Sequence, residues 1–238
     1  MAISQQLLAP RATNRLRTSL VAYWKMEEAT GETRLDTLGR YNLTDNGNVL
    51  QGTGKIGYGA GFVSSDALTG SDAALLLPSA TVAELTVAGW VTTSGATEWN
   101  GIVTRQDEGT SDRAWRVQWR RSTNTWYIYV YKDNGSDQVS RTLVSPVAAD
   151  TTCFFAFRLT ATEANLRVNT TDATALPLTE TNPDCATPFT VGSWLTNGSP
   201  VSSMTGVVDE LGLWARKLTD AELLTLYNAG QGLQYPFN

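Results

Sequence analysis

Apolar and polar positions alternate with a period of two in short runs along this chain, the pattern of strands that bury one face and solvate the other. The densest run is VQWRRSTNTWYIYVYKD, residues 117–133. Its second half sets Trp126, Ile128 and Val130 on one face and Tyr127, Tyr129 and Tyr131 on the other. Before it, Trp115, Val117 and Trp119 share a face, while Arg116, Gln118 and Arg120 take the opposite one. A tight turn at Thr123-Asn124 predicts the pairs Trp119 with Ile128, Val117 with Val130, Arg120 with Tyr127, Gln118 with Tyr129 and Arg116 with Tyr131. Slipping the strands by one residue would mix apolar with polar partners on both faces. The expectation is a hairpin with a buried apolar face and an outer face of alternating tyrosines and cations.

Further β-type runs are SLVAYWKMEE, ALLLPS, ELTVAGWVTT, GIVTRQD, CFFAFRLT, ANLRVNT, PFTVGSWL and GVVDELGLW. Clusters of Gly, Pro, Asn and Asp, such as Asn46-Gly47, separate them, which predicts an all-β sandwich or barrel. The run GTGKIGYGAGF lacks the Gly-Lys-Ser/Thr ending of a phosphate-binding loop and precedes no helix signal, so it reads as a loop entering a strand. One helix is expected in RKLTDAELLTLYNAG. Thr219 is its N-cap, Glu222 completes a capping box, Leu218 and Leu223 form a hydrophobic staple, and Gly230 closes the end. Leu223, Leu226 and Tyr227 fall on its apolar face. No linker-like shift in composition follows residue 20, so residues 19–238 are expected to form one domain behind an N-terminal arm of residues 1–18.

Composition agrees with strands. Thr supplies 33 residues and Gly 20, and the 42 % apolar fraction is enough for a sizeable core. The net charge of −5 is uneven, with +4 in the first 26 residues, from Arg11, Arg15, Arg17 and Lys25, and −9 in the rest. An acidic body argues against nucleic acid, because neutralising phosphates takes clustered Lys and Arg. Its basic arm is either a solvated terminus or a segment whose Arg11, Arg15 and Arg17 dock on an acidic neighbouring subunit. No run is long enough to span a membrane, and no signal peptide is expected. Cys153 alternates with Phe155, Phe157 and Leu159 and is read as a buried small hydrophobe. Cys185 sits in a Pro-flanked loop, and both thiols are expected free.

The strand at Leu20–Trp24, the strand at Thr86–Val91 and the run VDELGLW at 208–214, followed by a capped helix, form an ordered set. With that set the chain resembles the laminin-G-like, concanavalin A-like jelly-roll superfamily over roughly residues 19 to 230. The resemblance implies a two-sheet antiparallel jelly-roll sandwich with one short C-terminal helix. One departure is Cys153-Phe154, where family members often carry Trp-His. Domains of this kind bind glycans or proteins, serve as adhesion or packing modules, and in some branches cleave polysaccharides. Many hold a structural calcium ion; Asp209 occupies the matching ligand position, with Gly59 to Gly61 as a source of carbonyls. Against calcium stands the possibility that Asp209 only caps backbone amides.

The chain has no histidine, which removes Ser-His-Asp and Cys-His machinery and His-based zinc sites. Glycoside hydrolysis needs only two carboxylates. The acids here come as adjacent pairs, Glu27-Glu28, Asp107-Glu108 and Asp209-Glu210, whose members are expected to face opposite ways on a strand. No enzyme activity is expected. The first functional expectation is a structural or accessory protein of a large particle, a phage-like virion by preference, bound to capsid or tail subunits or to copies of itself. The alternative is a carbohydrate-binding module or adhesin at a cell surface. For either, the proposed contact residues are Arg116, Gln118, Arg120, Tyr127, Tyr129 and Tyr131. Aromatic faces stack on sugar rings and guanidinium or amide groups bond hydroxyls, although the same row could serve a protein partner or simply stabilise the sheet.

Overall fold

The computed structural model describes residues 15–63, 65–75, 77–79, 81–94, 97–110, 112–132, 138–181, 185–201 and 203–238. Its strands are β1 (Leu20–Trp24), β2 (Thr44–Asn46), β3 (Leu50–Thr53), β4 (Tyr58–Phe62), β5 (Ala67–Gly70), β6 (Leu85–Thr93), β7 (Trp99–Gln106), β8 (Arg113–Arg120) and β9 (Thr125–Tyr131). They continue with β10 (Gln138–Val144), β11 (Cys153–Leu159), β12 (Glu163–Val168), β13 (Thr171–Asp172), β14 (Leu176–Pro177), β15 (Phe189–Val191), β16 (Trp194–Thr196), β17 (Ser199–Val201) and β18 (Gly206–Trp214). One helix, α1 (Asp220–Tyr227), follows. A first antiparallel sheet runs β13-β12-β11-β6-β18-β4-β3, with β1 on β18 and β14 on β12. The second runs β10-β9-β8-β7-β15-β5-β2. Packed face to face, they make the expected jelly-roll sandwich. No described helix is long and apolar enough to cross a membrane.

Period-two patterning decides which side chains fill the space between the sheets. Trp115, Val117, Trp119, Trp126, Ile128 and Val130 are each no more than 1 % exposed, as expected for the inner face. Across the sandwich they meet β11, where the Trp115 ring lies 5.2 Å from Phe157 and the Trp126 ring 6.2 Å from Phe155. Fully burying one such side chain stabilises the fold by about 1.5–3 kcal/mol. Cys153 lies in this core beside Phe155, Phe157 and Leu159. Both cysteines are free and buried, and burial pushes their thiols up, to about 12 for Cys153 and about 11 for Cys185.

Three expectations about the strands need correction. The β8–β9 register is displaced by two residues: Trp119 pairs with Trp126, Val117 with Ile128, Arg116 with Tyr129 and Gln118 with Tyr127. The turn is Arg121–Asn124, closed by the Asn124 amide donating to the Arg121 carbonyl at 3.0 Å, with Asn124 left-handed at φ 46°. Its side chain also accepts from Trp119 Nε1 at 3.0 Å. A two-residue shift preserves every face, so the apolar pattern fits either register and the turn chooses. Second, the described residues of ALLLPS form no strand; Ala73–Leu75 is a 3-10 turn. Third, PFTVGSWL divides at Gly192, whose φ of 82° turns the chain out of the sheet after β15. The chain returns as the β16–β17 hairpin.

A second apolar cluster covers the outer side of the first sheet, where Tyr23, Trp90, Phe154, Trp214 and Phe237 pack with Leu223 and Leu226 of α1. Thr219 Oγ1 accepts from the Glu222 amide while the Glu222 carboxylate accepts from the Thr219 amide, completing the expected capping box. The left-handed cap is Asn228, at φ 47°, two residues before the expected Gly230. Asn tolerates this conformation because its short polar side chain bonds locally; here Nδ2 donates to the Gly232 carbonyl. Thr219→Ala is expected to lower stability by about 1 kcal/mol in chemical denaturation. The same cluster includes Leu16, fully buried, whose carbonyl accepts from Trp214 Nε1 at 2.6 Å. Thus the described end of the basic arm packs onto the body.

Candidate functional site

Parity places Arg116, Gln118, Arg120, Tyr127, Tyr129 and Tyr131 together on the outer face of the second sheet. That face is not uniformly open, and here the structure corrects the expectation that all six residues are free for recognition. Gln118 is 2 % exposed, Tyr131 2 % and Arg116 7 %. Tyr131 is consumed internally, its hydroxyl donating to Gln106 Oε1 at 2.8 Å with Arg113 above its ring. Arg120, Tyr127 and Tyr129 keep part of their surface.

The cover comes from the β16–β17 hairpin. Gly101 supplies the notch it needs, since a Cβ there would lie 2.9 Å from the Trp194 ring. Thr104 Oγ1 donates to the Ser193 carbonyl at 3.1 Å, and the Asp107 carboxylate accepts the Asn197 and Gly198 amides of the hairpin turn, both at 2.7 Å. Trp194 is thereby laid against Arg116.

The result is a ladder of rings and guanidinium groups. Arg116 stands between Trp194 and Tyr129, 4.6 and 4.5 Å from their centroids. Tyr127 lies 6.2 Å from Tyr129 with nearly parallel rings, and Trp99 meets Tyr127 edge to face at 5.4 Å. Arg120 closes the far end, 4.7 Å from the Trp99 ring. Each guanidinium has its own carboxylate: Arg116 bonds Glu108 at 2.8 Å and Arg120 bonds Glu98 at 2.7 Å. Glu98 also accepts from the Ser122 hydroxyl and amide, and those bonds, with Arg120, hold its carboxyl below the usual range. Desolvation raises the Tyr129 and Tyr131 hydroxyls. Ser140 and Thr142 of β10 extend the face beside Tyr129 and Tyr127. Trp99 and Trp194 were not predicted: Trp99 sits at the start of β7 in the polar stretch GATEWNG, and Trp194 follows a strand that had to break first. A lone Trp in a polar stretch was the available signal for the first.

The arm residues lie elsewhere. Arg17 donates through Nη2 and Nε to the Pro236 carbonyl at 2.7 and 3.1 Å and lies over Tyr235, so its guanidinium is engaged by this chain's own C-terminal segment. The Arg15 carbonyl accepts from Arg216. Arg11 lies outside the described residues.

Asp209 and Glu210 also depart from expectation. A bulge in β18 with Glu210 at φ 50° turns both carboxyls to the outer side of the first sheet, instead of to opposite faces. Glu210 accepts from the Tyr23 hydroxyl at 2.5 Å and from Gln234 at 2.7 Å. Asp209 Oδ2 accepts the Ile56 amide at 2.9 Å, while Oδ1 has no hydrogen-bond partner among the described residues. Burial raises Asp209 to about 8 and Glu210 to about 7. Both acids are buried, Glu210 bonded to Gln234 of the C-terminal segment and Asp209 to the Ile56 amide, which closes them to a polysaccharide. As for calcium, which takes oxygen ligands, the donors around Asp209 are amides. Gly59–Gly61, the expected carbonyl source, lie in β4, hydrogen-bonded to β3 and β18 on its two sides. Among the described residues no three acidic, histidine or cysteine side chains gather. This donor set fits amide capping better than a calcium cage.

Comparison with known proteins agrees with the architecture. A laminin-G-type family profile, described as "Concanavalin A-like lectin/glucanases superfamily", matches residues 68–224. No curated protein matches the chain in sequence. Among solved structures, the botulinum neurotoxin serotype D ligand binding domain in complex with N-acetylneuraminic acid aligns with a TM-score of 0.68 at 13% identity, covering 92% of this chain and 52% of that one. The binding domain of botulinum neurotoxin DC in complex with rat synaptotagmin II aligns at 0.66 and 12%, covering 89% and 52%. This chain spans about half the length of these neurotoxin chains, and at such identity the likeness is one of fold.

Proposed function

The chain belongs to the concanavalin A-like lectin/glucanases superfamily, and from that premise we propose that it is a non-catalytic recognition domain whose ligand is a glycan. The observation that carries this reading is the ladder on the second sheet, where Trp99, Tyr127 and Tyr129 are held in place by cations and retain solvent-facing surface. Rings fixed by neighbours lose little entropy on binding, and they offer apolar faces to the C–H surfaces of a sugar. The neurotoxin domain that aligns with this chain was solved with a sugar bound, which supports the class of ligand without locating it. A non-enzymatic role is supported by Asp209 and Glu210, the acids brought to one side, being buried and internally bonded.

Attachment within a particle, as in a virion, draws on the jelly-roll architecture and, for its docking contact, on the basic arm. With Arg17 tied to Pro236 and Leu16 buried, the described part of that arm offers less to a partner than the ladder does. Recognition of a cell-surface or polysaccharide glycan is therefore the reading we adopt. Retention of the intact chain on a glycan array tests it. Tyr127→Ala is expected to lower retention about tenfold, the worth of one stacked ring, with little change in melting temperature. Unaltered retention would place the site elsewhere.

A further inference from the structure

We infer that the ligand of the ladder is an uncharged glycan, an inference that rests on the recognition role proposed above and specifies its chemistry. A carboxylated sugar is held most strongly by an unspent cation. Both cations lying over the exposed ladder rings are already neutralised, Arg116 by Glu108 and Arg120 by Glu98. Arg116 is further clamped between two rings and buried, so its guanidinium cannot swing out to a second anion without breaking the stack. Arg116 Nε lacks a partner, yet it belongs to the same neutralised and enclosed group.

Within these two ion pairs the carboxylates are the more exposed partners. Glu98 and Glu108 expose about two-fifths of their side chains, more than the 36 % of Arg120 or the 9 % of Arg116. Their oxygens can accept from sugar hydroxyls and would repel a ligand carboxylate. The chain's net charge of −5 adds to that repulsion at low ionic strength. Beside the rings, Ser140 and Thr142 offer further hydroxyls and no charge.

The test compares, for the intact chain, retention on immobilised neutral hexasaccharides of gluco, galacto and manno type with retention on sialylated oligosaccharides. Neutral glycans are expected to be held at least about tenfold more tightly, with the difference growing as salt is lowered. Trp99→Ala should abolish most of that retention while Trp99→Phe keeps it, both with the wild-type melting temperature. Glu98→Gln should weaken the discrimination against sialylated ligands. Preferential retention of sialylated glycans, lost in Trp99→Ala, would overturn the uncharged class and leave glycan recognition standing. No retention of any glycan would overturn the glycan reading itself. Neutral retention indifferent to Trp99→Ala would remove the ladder as the site.

Discussion

Gly192→Ala is expected to destabilise the protein by about 3 kcal/mol and to loosen the hairpin that shapes the aromatic ladder. Two costs add. At φ 82° any side chain other than glycine's pays about 1–2 kcal/mol for the left-handed backbone. An added Cβ would also collide with the ring of Phe62, a fully buried core residue, and overpacking of this kind costs typically about 1–3 kcal/mol. Relief by backbone movement would displace the start of the β16–β17 hairpin, and with it Trp194, from Arg116. Urea denaturation should show a lower midpoint, and tryptophan fluorescence should report a more solvated environment before global unfolding. A variant as stable as the parent would mean that Gly192 does not govern the exit of the chain from the sheet.

Stability is expected to fall as pH rises from about 5 to 8. Asp209 holds its proton in the folded state up to about 8 and Glu210 up to about 7, whereas in the unfolded chain both ionise near 4. Between those limits the folded state binds more protons than the unfolded one, so each unit of pH lowers the unfolding free energy, by up to about 1.4 kcal/mol per group. Below about pH 4 this loss is absent; above pH 8 it is complete. Asp209→Asn mimics the protonated acid, keeps an oxygen for the Ile56 amide and should flatten much of the slope, making the variant more stable than the parent at pH 8. Melting curves across this range check the expectation, and a parent whose stability rises with pH would refute it. A chelator distinguishes the calcium alternative. With amide capping the melting temperature is unmoved; with a bound ion it drops, and Asp209→Asn then destabilises the protein at pH 8.

What could be read from the residues was set by what period-two patterning encodes. It assigned Trp115, Trp119 and Trp126 to the core and placed the tyrosines and cations on the other face, because inner and outer positions alternate whatever their partners. It did not determine those partners, since a displacement of two residues leaves the alternation intact and only the four-residue turn at Arg121–Asn124 distinguishes the registers. Long-range placement was less visible still. Nothing local in SWLTNGSP tells that this segment folds back over Arg116, because the contacts that hold it involve Gly101, Thr104 and Asp107, some ninety residues earlier. Asp209 and Glu210 were misassigned for a similar reason: alternation assumes a regular strand, and the bulge adds a residue to it. The helix cap, by contrast, was legible because a capping box is confined to four neighbouring residues.

The bond from Arg17 to Pro236, with Arg17 Nη2 also 3.4 Å from Asn238 Oδ1, has an orientational consequence. It ties the start of the described chain to its last residues, beside the cluster on the outer side of the first sheet. The aromatic ladder lies on the outer side of the second sheet, across the thickness of the sandwich. A surface joined to Asn238 would therefore hold the domain by its back. Immobilisation through the C-terminus should leave the aromatic ladder directed outward, so that end forms a natural mounting point.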